Sequence, residues 1–153
     1  MDIYIINPDN LEPIPVEEWK KESDPTKAKF VAIRVNGGVL LIRKEYLPGS
    51  YEFEEAQKAC ADLAPIYNDH FRCPTRKECI DIYDARFQGL DEALELVGGD
   101  PISGYFWTCE RDMDPRSIVS SAWFFYGTHG NLTINNVYSA YKARAVALLS
   151  VLW

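Results

Sequence analysis

The sequence predicts an α+β domain, on three observations. Helical periodicity is confined to residues 50–97, and aromatic or β-branched runs dominate after Pro101. Ahead of both, Asn36-Gly37-Gly38 interrupts two apolar runs in the manner of a hairpin. Helices grouped before a run of strands argue against an alternating parallel sheet. A chain of 153 residues suits one domain, with two to three short helices on a mostly antiparallel, twisted sheet.

Each element has a local reason. Ile3–Ile6 is a β-branched and aromatic run halted by Asn7-Pro8-Asp9-Asn10, hence a strand and a turn. Pro13 and Pro15 hold the next stretch extended. Residues 16–21 suit one helical turn with Glu17 and Glu18 at its positive end, Lys20 and Lys21 at its negative end, and Trp19 as anchor. Residues 23–27 read as a polar loop. Phe30–Val35 and residues 39–43 then flank the two glycines, which accept positive φ without steric cost.

Ser50 is placed to cap a helix running to about Leu63, with Glu52, Glu54 and Glu55 in its first turn. Its apolar face is Phe53, Ala56, Ala59 or Cys60, and Leu63, and Pro65 ends it. Thr75-Arg76-Lys77-Glu78 is a capping box opening a second helix, striped by Cys79, Ile82, Tyr83 and Phe87. A third helix carries Leu90, Ala93, Leu94 and Val97 and stops at Gly98-Gly99. Beyond it come an aromatic strand at 105–109, a charged loop at 110–116, a strand at 122–126, a turn at 129–131 and a returning strand at 132–134. Residues 143–152 are too apolar for a one-sided strand and are expected in the middle of a sheet.

Composition narrows function. A formal charge of −7 disfavours nucleic-acid or anionic-membrane surfaces, which need clustered Lys and Arg. No apolar run approaches the length of a membrane span. Residues 1–7 show neither a basic n-region nor a long apolar stretch, so a cytoplasmic location, or export within a larger particle such as a virion, is expected. Cys60, Cys73, Cys79 and Cys109 lack Cys-x-x-Cys spacing and sit among apolar neighbours. Buried free thiols are the expectation, with a disulfide or a metal site as the other readings.

The order of these pieces resembles a C-type lectin-like domain, in the bacterial and phage branch related to formylglycine-generating enzymes and to the variable proteins of diversity-generating retroelements. The first helix of that pattern is matched by Phe53-Glu54-Glu55-Ala56, and its second signature by Phe71-Arg72-Cys73-Pro74-Thr75. Phe106-Trp107-Thr108-Cys109, Ala122-Trp123-Phe124-Phe125 and residues 141–147 follow in the family's order. Phe71, Cys73, Cys109 and Ala147 depart from the family's Trp, Leu, Ser and final Arg. The match covers the last two-thirds of the chain, as a core over 49–153. Residues 1–48, with the strand and hairpin, resemble the leader carried by gut-bacterial and phage versions. The resemblance implies structural roles for Arg72 and Arg144, pairing with carboxylates or carbonyls near the sheet, which suits a planar fork of five donors. Trp107 and Trp123 are read as core.

The tripeptides with which a sugar-binding member holds calcium are missing, and Asn135, Asn136, Glu110, Asp112 and Asp114 form no rigid ligand array in sequence. No metal and no cofactor are expected. Cys109 has no neighbouring His or second thiol to activate it, so the chain is expected not to be an enzyme. His70 and His129 read as loop residues, and Asp81 and Asp84 as a solvated helix face. The remaining candidate is the polar run Thr128, Asn131, Thr133, Asn135, Asn136, Tyr138, Ser139 and Tyr141. Tyrosine offers large contact area at low entropy cost, and Asn, Ser and Thr offer adaptable hydrogen bonds. The resemblance places the varied residues of retroelement-diversified relatives in this zone. The expected role is therefore a binding or structural module, recognising a protein or glycan on a virion or complex. A self-assembling virion subunit and a cysteine-dependent enzyme of the formylglycine-generating type are the alternatives.

Overall fold

A computed structural model describes residues 2–113 and 120–150. The chain opens with β1 (Ile3–Ile6), β2 (Pro13–Pro15) and the single-turn α1 (Val16–Trp19), whose Trp19 is buried and donates its indole N–H to the Pro25 carbonyl. The predicted loop at 23–27 contains a short 3-10 turn, Pro25–Lys27, because Asp24 accepts from the Thr26 amide. The hairpin follows as β3 (Phe30–Val35) and β4 (Gly38–Arg43), with Gly37 at φ +99° in a two-residue turn between the paired Val35 and Gly38.

Three helices come next. α2 (Phe53–Ala61) is shorter than expected and is capped by Glu52, not Ser50: Glu55 reaches back to the Glu52 amide at 3.0 Å and closes a capping box. α3 (Arg76–Ala85) starts at the predicted Thr75 box, where the Thr75 hydroxyl accepts from Glu78 N at 3.1 Å and Glu78 accepts from Thr75 N at 2.9 Å. A π-turn over Arg86–Leu90 leads to α4 (Asp91–Leu96), where Ala93 and Leu94 are buried, as are the flanking Leu90 and Val97. Phe87 does not belong to the apolar stripe and is 69% exposed. The π-turn, with Gly89 at φ +121°, changes the helical phase there and swings residue 87 outward.

The remaining strands are β5 (Tyr105–Arg111), β6 (Ser121–Tyr126), β7 (Asn131–Asn136) and β8 (Val146–Leu149). β5 carries two residues of the predicted charged loop, and the rest of that loop beyond Met113 falls outside the described residues up to Ser120. β7 is twice as long as residues 132–134 and absorbs Asn131, Asn135 and Asn136 into a strand. Among the described residues the eight strands form two antiparallel sheets, β2-β1-β3-β4-β8 and β5-β6-β7. The architecture is therefore α+β.

The larger sheet is covered on both sides, which explains the unbroken apolar run of β4. Val31, Ile33, Leu40, Ile42 and Val146 face α3 and α4, together with Phe106 and Phe125 of the second sheet. Ala32, Val39, Leu41, Ala147 and Leu149 face α2, Phe71, Trp107 and Phe124. Each such Val, Leu, Ile or Phe side chain contributes roughly 1.5–3 kcal/mol when buried, and the alanines less. Residues 143–147 and Leu149 are buried as expected and Leu148 is half-buried, but β8 lies at the end of the sheet and not in its middle. Its outer side is closed at Val146 by a bridge to Arg72, with hydrogen bonds of 2.8 and 2.9 Å. Residues 150–152 of that predicted strand contribute no β structure at Ser150 and otherwise lie outside the described residues.

Two arginines tie these layers. Arg72 forks onto Glu78 with bonds of 2.6 and 2.8 Å, locking the segment that bridges β8 to the start of α3. Burial opposes ionisation of Glu78, but the Arg72 bonds, the Thr75 amide and the Arg72 charge outweigh it and hold the carboxyl below its ordinary range. The sign follows from linkage. A carboxyl depressed in the folded state gives stability that is complete above its unfolded value and is lost as pH falls through the folded one. Glu78→Gln should therefore cost about 1–3 kcal/mol at neutral pH, and the cost should shrink below about pH 4, when urea midpoints are compared across pH. Arg144 is fully buried and donates to the carbonyls of Arg43, Lys44 and Asp100 at 2.8, 2.7 and 2.9 Å.

Candidate functional site

The three-stranded sheet carries the candidate site. Residues paired across antiparallel strands share a face, so its register decides what lies together. Tyr105 pairs with Tyr126 and Trp107 with Phe124; across the next ladder Tyr126 pairs with Asn131, Phe124 with Thr133 and Ala122 with Asn135. These eight residues form one face, with Arg111 opposite Ala122 at its far end and paired there with Glu54. The opposite face carries Phe106, Phe125 and Leu132 toward the core, and also Trp123, Ile134 and Asn136.

On the first face the rings form a continuous platform. Tyr105 stacks on Tyr126 at 4.3 Å and 17°, and Phe124 stacks on Tyr141 at 4.4 Å and 22°. Tyr105 meets Phe124 edge-on at 5.8 Å and links the two stacks. Trp107 lies beneath, fully buried, 4.9 Å from Tyr141 and 5.4 Å from Phe53 of α2. Tyr141 reaches the platform from outside the sheet, where two backbone bonds of 2.8 and 3.0 Å bridge it to Tyr51. Asn135 donates its amide N–H to the Tyr141 hydroxyl at 2.7 Å. Tyr105 is 47% exposed, and Asn131, Thr133 and Asn135 are exposed beside it. Neutral hydroxyls, amides and ring edges therefore meet solvent on a rigid apolar base.

The structure divides the predicted polar run. Asn131, Thr133, Asn135 and Tyr141 share the platform. Thr128 sits at its Tyr105 end, where its hydroxyl accepts from the Gly104 amide at 3.1 Å. Asn136 points to the other face, and its side-chain oxygen accepts from the Tyr138 amide at 2.9 Å, shaping a turn that holds Ser139 and leaves Tyr138 71% exposed. Tyr105 and Tyr126 are members that the polar pattern overlooked; the alternation Tyr105/Trp107 and Ala122/Phe124/Tyr126 is the signal that marks them. Trp123 is not core like Trp107. It is half-buried under the Arg76 guanidinium, 4.6 Å from the ring centre.

Other candidates are occupied structurally. Glu110 accepts from the Arg76 amide at 2.6 Å and pairs with its guanidinium, Asp81 pairs with Lys77, and Asp114 lies outside the described residues. No group of three or more His, Cys, Asp or Glu is arranged to hold a metal ion among the described residues. His70 and His129 are exposed, the latter edge-on to Tyr126 at 5.1 Å. All four cysteines are free thiols, and Cys60 lies 3.8 Å from Cys73 with both buried. Cys109 is half-buried, and burial pushes its thiol up against the opposing charge of Arg72. Among the described residues no helix is long and apolar enough to cross a membrane. No protein-family model matches the chain, and no curated protein matches it significantly in sequence.

Proposed function

We propose that the chain is a non-enzymatic recognition module with a C-type lectin-like fold, which binds a protein or glycan through the platform of Tyr105, Tyr126, Asn131, Thr133, Asn135 and Tyr141. The observation that carries this reading is the pair of linked ring stacks, with half-exposed Tyr105 at the front and Asn135 bonded to Tyr141 at the side. Pre-stacked rings lose little freedom on binding, so their contact area converts efficiently into affinity. The motif placements support the fold reading: the helix signatures begin α2 and α3, the two aromatic signatures are paired strands, and Arg144 ties the closing segment to β4. Display on a phage particle or comparable assembly is the setting we favour.

The raised thiol of Cys109 supports a non-catalytic reading, because the thiolate is the nucleophile. One observation favours the self-assembling alternative: Ile80 and Ile134, 46% and 43% exposed, lie on the side opposite the platform. Light scattering at micromolar concentration separates the two, with a trimer or larger expected for an architectural subunit and a monomer for a free-standing binder.

The test of recognition is a glycan-array and surface-protein screen, followed by variants against the partner found. Tyr105→Ala and Asn135→Ala together should weaken binding by about 10- to 100-fold, with circular dichroism unchanged. Affinity should be indifferent to a chelator and only weakly salt-dependent, since the platform residues are neutral and Arg111, which shares their face opposite Ala122, is paired with Glu54. Unchanged affinity in the folded double variant would place the contact surface elsewhere.

A further inference from the structure

A cavity lies at the opposite end of the hairpin from its turn, and none of its lining residues belongs to the platform. It measures about 410 Å³ and is lined by the ends of β3 and β4, the segment 63–66 after α2, and Phe71. That size falls within the range of small-molecule sites. Its apolar base is the Phe30–Phe71 stack, with ring centres 5.4 Å apart at 17°. Leu63 and Ile66 supply a further wall. That wall is pre-formed, because Ile66 and Asp69 exchange backbone bonds of 3.0 and 2.8 Å around a tight turn.

The polar side is unusual for this protein. Arg43 is paired across the ladder with Phe30, so both lie on the face that carries Ala32 and Leu41 and is covered by α2. Arg34, Arg72, Arg76, Arg86 and Arg111 each pair with a carboxylate, and Arg144 is held by carbonyls. Among the described arginines, Arg43 is the one whose guanidinium has no hydrogen-bond or ion-pair partner, although it is half-buried in a chain with more acids than bases. Lys29, on the same cavity, is unpaired as well. Lys44 is committed elsewhere, donating to the carbonyls of Thr26 and Val97 at 2.6 and 3.0 Å. Arg43 and Lys29 outweigh Glu45, and Lys44 adds its charge from the rim, so the cavity sets a net positive charge against an aromatic base. A positive surplus suits an anion, and a planar, unpartnered guanidinium matches a carboxylate through two parallel bonds.

We propose that this cavity binds a small organic carboxylate with a flat or short apolar body, the body lying on the Phe30–Phe71 stack and the carboxylate on Arg43. The probe is 4-phenylbutyrate, titrated into isotope-labelled protein while backbone amide resonances are followed. Saturable shifts at Phe30, Arg43 and Ile66 are expected, with low-millimolar affinity as befits so small a ligand. Arg43→Gln should weaken binding by about tenfold, and the uncharged 4-phenylbutan-1-ol should bind about tenfold more weakly to the native protein. The alcohol comparison needs no substitution, so it decides the matter if Arg43→Gln does not fold. Absent shifts at these three amides, equal binding of the alcohol, or an unchanged affinity in folded Arg43→Gln would overturn the site. Tighter binding of phenyl phosphate than of 4-phenylbutyrate would overturn the assignment to a carboxylate.

Discussion

Arg144→Ala is expected to lower stability by about 3–5 kcal/mol, read as a fall in the urea midpoint with little change in slope. The size follows from what the side chain leaves behind. Its guanidinium is fully buried and satisfies the carbonyls of Arg43 and Lys44 at the end of β4 and that of Asp100 beyond α4. Burial pulls its pKa down, opposed by Tyr46 and Asp100, yet an arginine stays protonated across the accessible range. Tyr46 completes the site, with its ring 4.7 Å from the guanidinium carbon and its hydroxyl donating to the Ser103 carbonyl. The Lys44 carbonyl still accepts from the Asp100 amide at 2.8 Å, so removing the fork strands the carbonyls of Arg43 and Asp100 in a dry interior and opens a cavity. Arg144→Met separates these contributions. Buried ion pairs are often replaced by apolar residues without loss, because both charges leave together. Here the partners are backbone carbonyls that remain, so Met should restore packing and still fall at least about 2 kcal/mol short. Arg144→Lys should recover only part of the difference, since one ammonium lacks the fork. A Met variant as stable as the native protein would show that the carbonyl tie contributes nothing net.

The contrast between legible and illegible features follows the range of the forces involved. The Asn36-Gly37 turn, the Thr75–Glu78 box and the Leu90/Leu94 stripe depend on neighbours within four residues, and each forms where its pattern lies. Glu52 displaces Ser50 as a cap because several polar residues in succession can each begin a helix, and the Glu55 side chain selects among them. The edge position of β8 depends on β4, more than a hundred residues earlier, and strong apolarity alone does not distinguish an edge closed by Arg72 from a central strand. The candidate site shows the same division. Asn and Ser suggest a polar loop when read singly, whereas β7 pairing carries Asn131, Thr133 and Asn135 onto the aromatic face and turns Asn136 away. Tyr105 and Tyr126 resemble core aromatics in sequence. Their alternation with Trp107 and Phe124 assigns them to one face, and the pairing of β5 with β6 turns that face toward solvent.

Trp107→Ala should abolish partner binding although Trp107 is wholly buried and cannot touch a ligand. Its indole supports the platform from below, edge-on to Tyr141 and Phe124 above and against Phe53 of α2 beneath. Truncation should cost about 3–5 kcal/mol in the urea midpoint, through lost burial and the cavity left behind. Tyr141 and Phe124 then have room to sink, which breaks the Asn135–Tyr141 bond and removes the flat front that Tyr105 extends. Trp107→Phe keeps a ring in that space and forfeits the 2.8 Å bond from the indole N–H to the Tyr51 carbonyl. That carbonyl also accepts from the Tyr141 amide at 3.0 Å, so it is not stranded. The Phe variant should therefore lose about 1–2 kcal/mol and bind within a few-fold of the native protein. Measuring affinity well below the unfolding transition, and normalising to the folded fraction, keeps the two effects apart. Native-like affinity in folded Trp107→Ala would mean that the exposed tyrosines hold their places without the indole, and that pre-organisation from the core is not the source of recognition.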